Sequence, residues 1–145
     1  MKRVLLLPLC LLFIHTGHAQ NDTAAIKALL EKEAASWRSG DVKEHAACWH
    51  IQPYSRILVS TPDGHCYDVL PDNVINPAPG QMGKGGSAQL LHCRYSISGN
   101  NAWVSHDEIS TAADGTPSYS HEIRILEKIK GEWKLVGQSI HLYTP

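Results

Sequence analysis

The sequence has no run of basic residues. Its 13 lysines and arginines are outnumbered by 14 acidic residues, so it lacks the basic stripe that nucleic acid or an anionic membrane surface requires of a partner. Long apolar runs are nearly absent. Only Val4 to Ile14 comes close, and it falls short of the roughly 20 residues needed to span a bilayer. No CxxC pair is present, and Cys48, Cys66 and Cys93 have no other catalytic context. Gly83-Lys84-Gly85-Gly86 lacks the Ser or Thr that follows the lysine of a phosphate-binding loop, and no helical pattern comes after it. Ser105, Ser110 and Ser139 offer no nucleophile signature. Nucleotide, thiol and serine chemistry thus all lose their usual sequence support.

The first residues do carry a secretory pattern: Lys2-Arg3, the apolar run, and the small-x-small site Gly17-His18-Ala19. Residues 1–19 are expected to be a signal peptide cut after Ala19, taking Cys10 with it. Residues 20–145 are then a single domain, exported to the periplasm or secreted. That length holds one hydrophobic core. Three cysteines remain, an odd number that allows one disulfide and a free thiol, or no disulfide.

Asp22 or Thr23 can cap a helix running to about Arg38, with Ile26, Leu29, Leu30, Ala34 and Trp37 on one stripe and Gly40 as its stop. Glu33 lies seven residues after Ile26 and four before Trp37. It either reaches past the stripe's edge to water or faces a pocket. Asp41 and Glu44 make a capping-box-like start for a short helix through Trp49. Residues 56–60 and 65–69 read as a hairpin around Thr61-Pro62-Asp63-Gly64, and 71–86 as a Pro/Gly-rich loop with a helical turn. From Ala88 onward, turns at Gly99-Asn100-Asn101, Asp114-Gly115 and Lys130-Gly131 separate four strands of an antiparallel meander. Helices first and a sheet afterwards predict an α+β fold, the sheet folded over the helices.

Taking Lys130-Gly131 and Asp114-Gly115 as two-residue hairpin loops sets a register. One face then pairs Leu126 with Leu135, Arg124 with Gly137, Glu122 with Ser139 and Ser120 with His141, and adds Trp133, Trp103, Ser105, Asp107 and Ile109. It is apolar at one end and polar at the other, as a pocket lining is. Val104, His106, Glu108, His121, Ile123, Ile125, Val136, Gln138 and Ile140 fall on the second face, which can cover a partner subunit. Whether the charges line a pocket or form a solvated cluster depends on this register, and a single bulge would exchange the faces.

"AAIKALLEKEAASWRSGDVKEHAACW" and "HEIRILEKIKGEWKLV" resemble the nuclear transport factor 2-like superfamily in its SnoaL-like branch, and the likeness spans nearly all of residues 20–145. It implies a cone: a long N-terminal helix and shorter helices closed by a strongly curved antiparallel sheet, with a pocket inside and often a homodimer through the outer sheet face. Members include isomerases, dehydratases, cyclases and proteins that only bind or assemble. In the association domain of calcium/calmodulin-dependent protein kinase a similar hairpin reads Glu-Thr-Arg-Val-Trp before its own Gly-Lys-Trp. Its pocket-lining arginine falls on Arg124, which favours the first face as the inner one. The catalytic pattern of the steroid isomerases does not carry over: its tyrosine would fall at Glu33, its base near Ile57, and its second acid between Ile123 and Ile125.

The expectation is an exported pocket protein that binds a small molecule, an anionic one suiting Arg124, with Glu122, Asp107, Ser139, His141, Trp103 and Trp37 lining the site. The alternative is a lyase, isomerase or hydrolase using Asp107, His141 or Glu33 as general base while Arg124 stabilises developing negative charge. His106, Glu108 and His121 supply the ingredients of a metal site on the second face, but no metal and no cofactor is assigned.

Overall fold

The computed structural model describes the backbone of residues 14–145 and the side chains of residues 21–145. The expected leader lies outside the described residues up to position 13. Its last residues, from Ile14, are helical, because the first helix, α1, runs Ile14–Ser39 without a break at Asp22. Asp22 is therefore no N-cap. Its Oδ1 accepts from Trp133 Nε1 at 3.0 Å and from Lys128 Nζ at 2.6 Å, tying the helix to the last hairpin. No helix among the described residues is long and apolar enough to cross a membrane.

Ile26, Leu30, Glu33 and Ala34 are the buried stripe of α1, so Glu33 faces inward. Gly40, at φ 75°, ends the helix. Two more carbonyls at that end are satisfied from the glycine-rich loop: Gly83 N–H donates to Trp37 O at 3.0 Å and Gly85 N–H to Arg38 O at 2.7 Å. A Cβ at Gly83 would sit 2.6 Å from Arg38 O, which explains the glycine at that position. The second helix, α2 (Val42–Ala47), is capped as expected, with Glu44 N–H donating to Asp41 Oδ1 at 3.0 Å. It stops short of Trp49, which bridges to Leu135 instead.

The strands are β1 (Ile57–Ser60), β2 (Cys66–Val69), β3 (Gly86–Ser98), β4 (Asn101–Ala112), β5 (Pro117–Ile129) and β6 (Glu132–Tyr143), with α3 (Pro71–Ile75) between β2 and β3. They form one six-stranded sheet in the order β2-β1-β6-β5-β4-β3. The meander β3 to β6 and the β1–β2 hairpin match expectation. The sheet is mixed rather than wholly antiparallel, since β1 runs parallel to β6 with Ile57 beside Gln138. Ile26, Leu30, Trp49, Ile57, Val104, Leu126, Trp133 and Leu135 pack together as the core between α1 and the sheet.

Two details overturn the expected faces. The β4–β5 connection is a three-residue loop, Ala113-Asp114-Gly115: Ala112 N–H donates to Thr116 O at 2.9 Å, Gly115 takes φ 87°, and Asp114 Oδ1 accepts from Thr116 N–H at 2.9 Å. Arg124 therefore lies opposite Val104 rather than Ser105, and all of β4 is turned over. In β6 the Lys130-Gly131 loop is the expected two-residue turn, with φ 51° and 89°, and Leu126 pairs with Leu135 as predicted. The register then shifts between Ile125 and Leu126, leaving Val136 as an extra residue. Beyond it Gln138 faces Arg124 and Ile140 faces Glu122. Trp103 and Asp107 on β4, and Ser139 and His141 on β6, thus sit on the outer face instead of the inner one. His106 and Glu108, expected outside, are inside.

Candidate functional site

The inner face and the helices enclose a cavity of about 350 Å³. Ile57 and Val59 of β1, Val69 of β2, Val74 of α3, and Ile140 and Leu142 of β6 supply its apolar side. Glu33, Trp37, Arg38 and His45 from the helices, with Glu108, Ser110, Ser118, Ser120, Glu122, Arg124 and Gln138 from the sheet, supply the polar lining. Of the candidates named from sequence, Arg124, Glu122, Glu33 and Trp37 meet here.

Arg124 is the hub of this end. Its Nη1 donates to Glu33 Oε2 at 3.2 Å and to Gln138 Oε1, and its Nη2 lies 2.5 Å from Glu122 Oε2 and 4.0 Å from Glu108 Oε2. Ser120 Oγ donates to the other Glu122 oxygen at 2.7 Å. Glu33 Oε1 is 3.6 Å from His45 Nδ1, and Glu122 Oε2 is 3.8 Å from His106 Nε2. None of Glu33, His45, His106, Glu108, Glu122 and Arg124 is more than 6% exposed. Water does little to screen this cluster, so the charges must answer one another.

The protonation preferences follow from that balance. Burial opposes ionisation of Glu122, but the adjacent guanidinium and the Ser120 hydroxyl outweigh it and hold the carboxyl below its usual range. Burial also opposes the charge on Arg124, and Glu122, Glu33 and Glu108 more than restore it. Glu108 is less well compensated, with Arg124 Nη2 4.0 Å away and Arg38 adding a smaller effect. Burial and the Glu122 charge push its carboxyl from 4.5 up to about 7, so it can take or give a proton near neutrality. Burial lowers His45 and His106 below 6.5, keeping both rings neutral.

His45 yields a pH prediction. Its folded form resists protonation while its unfolded form accepts a proton as the pH falls through 6.5. The stability it allows is present above that value and lost below it. Both ring nitrogens lack hydrogen-bond partners, and the ring packs 5.0 Å from that of Trp37. Accordingly, His45→Leu should lose less stability than the unmodified chain between about pH 7 and about pH 5, as read from denaturant midpoints. Equal losses would show that His45 is not a source of acid sensitivity.

The outer-face candidates form their own groups. Asp107 accepts at one oxygen from His92 Nδ1 (2.7 Å) and at the other from His121 Nδ1 (2.8 Å), and these two bonds hold its carboxyl below the usual range. His141 lies 2.8 Å from both Ser60 Oγ and Ser139 Oγ. Trp103 is 47% exposed, beside the exposed Ile123 and Ile125. Neither Asp107 nor His141 reaches the cavity. Glu108, missed as a pocket residue, and His106, missed as a buried one, share the two-residue alternation of Ala102, Val104, His106, Glu108 and Ser110; the loop length decides which way that set points. Cys48, Cys66 and Cys93 are free thiols, and burial pushes Cys48 up to about 11.

No family model matches the chain. No curated protein matches it either. Solved structures do. A nuclear transport factor 2-like protein from Cytophaga hutchinsonii matches with a TM-score of 0.64 at 16% identity, over 86% of this chain and 98% of that one. A candidate scytalone dehydratase from Novosphingobium aromaticivorans gives 0.66 at 13% identity, over 89% of each chain. The CamKII hub homology domain of Chlamydamonas reinhardtii gives 0.62 at 19% identity, over 85% and 99%. Identities this low carry information about the fold alone.

Proposed function

We propose that this chain, which has the nuclear transport factor 2-like fold, is a pocket protein for a small, mainly apolar molecule that ends in an uncharged hydrogen-bonding group. The observation that carries the reading is the division of the 350 Å³ cavity into an aliphatic side and one buried polar end. The anionic ligand expected from Arg124 loses support. The guanidinium is already engaged by Glu33, Glu122 and Gln138, and a third carboxylate, Glu108, lies 4.0 Å away. An incoming anion would meet three carboxylates with Arg38 as the other cation of the lining, whereas hydroxyl or amide groups can exchange hydrogen bonds with Glu108, Ser110 and Ser120.

Thermal-shift and calorimetric screening of neutral, anionic and cationic molecules with similar apolar bodies tests this. Neutral ones should bind best, and Ile140→Trp, which fills the cavity, should abolish their binding. Tighter binding of the anionic set would overturn the charge argument. Hits that bind Ile140→Trp undiminished would place their site elsewhere.

We also keep the proposals of export, with a mature end at Gln20, and of a homodimer through the outer face. The exposed Trp103, Ile123 and Ile125 on neighbouring strands support the second. Mass spectrometry of exported protein and the molar mass in solution are the respective measurements.

A further inference from the structure

Two buried atoms at or behind the polar end of the cavity have no hydrogen-bond partner, His106 Nε2 and Glu108 Oε2, and beside them Glu122 Oε2 has only the Arg124 guanidinium. Their residues are 3%, 6% and 4% exposed, so bulk water cannot serve them. Buried polar atoms without partners are uncommon and call for a physical reason. The side chains do not merely crowd one another. One donor atom from each of His106, Glu108 and Glu122 lies within 4.8 Å of the others, and Nε2 of His106 is 3.8 Å from Oε2 of Glu122.

The tautomer of His106 sharpens the point. Its Nδ1 is 3.3 Å from the backbone carbonyl of Asp107, which can only accept. The hydrogen therefore belongs on Nδ1, and Nε2 turns a lone pair towards the carboxylates. A neutral imidazole held by a backbone carbonyl through its far nitrogen is the arrangement that orients histidine for a metal ion. Glu122 is braced in the same way from outside, with Ser120 Oγ on its other oxygen at 2.7 Å and Arg124 Nη2 at 2.5 Å. Glu33, Glu108 and Glu122 face two guanidiniums, those of Arg124 and of the cavity-lining Arg38, which leaves one carboxylate in excess.

We propose that His106 Nε2, Glu108 and Glu122 bind one divalent first-row transition-metal ion behind the polar end of the cavity, which Glu108 and Glu122 line. One imidazole and two carboxylates suit zinc, manganese or iron(II) rather than a soft cation. Donors about 2.1 Å from such an ion stand roughly 3.0 to 3.5 Å apart, so the His106–Glu122 pair need close only slightly. The proposal goes beyond the pocket reading and holds whatever organic molecule fills the aliphatic side. A competing set lies on the outer face, where Asp107 is flanked by His92 and His121; those side chains are solvent-exposed and can take up metal adventitiously.

The test strips the full chain with a chelator, then titrates zinc, manganese(II) and cobalt(II) by calorimetry, with the visible absorption of cobalt as a second readout. One equivalent should bind with ligand-field bands. Glu108→Gln and His106→Gln should each weaken binding by roughly 100-fold or more, while Asp107→Asn leaves it unchanged. Folded, stripped protein that takes up no stoichiometric metal overturns the site without any variant. So does binding that survives Glu108→Gln and disappears in Asp107→Asn. Ile140→Trp separates the two readings, because it should abolish organic ligand binding and spare the metal.

Discussion

Arg124→Met should cost the fold about 3–5 kcal/mol, the penalty for stranding buried charges once their partner is removed. For a chain of this size that is a fall of roughly 10–15 °C in melting temperature, measured by calorimetry with chelator present so that no metal ion substitutes. The lost hydrogen bonds are the smaller part. Glu122 is held ionised in a dry interior because a guanidinium lies 2.5 Å away, and the same guanidinium lies 3.2 Å from Glu33. Methionine fills the volume and leaves them facing each other and Glu108. Adding Glu33→Gln and Glu122→Gln to Arg124→Met should then restore most of the stability, since the charges that needed compensation are gone. Arg124→Lys should rescue only in part: one ammonium cannot reach Glu33, Glu122 and Gln138 in the planar arrangement the guanidinium provides. A loss below about 1 kcal/mol in Arg124→Met would show that the cluster is solvated after all.

Strand β5 explains which parts of the site could be seen in the sequence. No bulge interrupts it, so Ser120, Glu122, Arg124 and Leu126 share a face once Leu126 is placed in the core, and all four are buried. Their neighbours on either side depended on single residues that carry no periodic signal. Asp114-Gly115 favours a two-residue turn, yet the loop takes in Ala113 as well, and that one residue brings His106 and Glu108 in and sends Asp107 and Trp103 out. Val136 does the same beyond Leu135, exchanging Gln138 and Ile140 for Ser139 and His141. A third register shift, between Leu91 and Arg94, puts His92 at φ 53°. Helix α1 was more legible, because its stripe repeats over several turns. Glu33 could be placed on that stripe, but only its partner, distant by 91 residues, decides that it points inward.

Trp133→Ala is expected to destabilise by about 3–5 kcal/mol, the range for losing a fully packed large aromatic side chain. Trp133 follows the Lys130-Gly131 turn, and the register places it opposite Lys128, whose ammonium lies 5.5 Å from the indole centroid. The indole is 5% exposed and belongs to the core cluster with Leu126 and Leu135. Its Nε1 also donates to Asp22 Oδ1, the oxygen that Lys128 Nζ holds. One residue therefore packs the hairpin and fastens helix α1 to it. Trp133→Phe separates the two roles: most of the apolar contact remains and one charge-assisted hydrogen bond is lost, so the cost should be about 1.5–3 kcal/mol at most. Denaturant titrations measure both variants. If the two lose equal stability, the hydrogen bond to Asp22 accounts for the effect and the packing argument fails. If Trp133→Phe is neutral, the helix is held by burial alone.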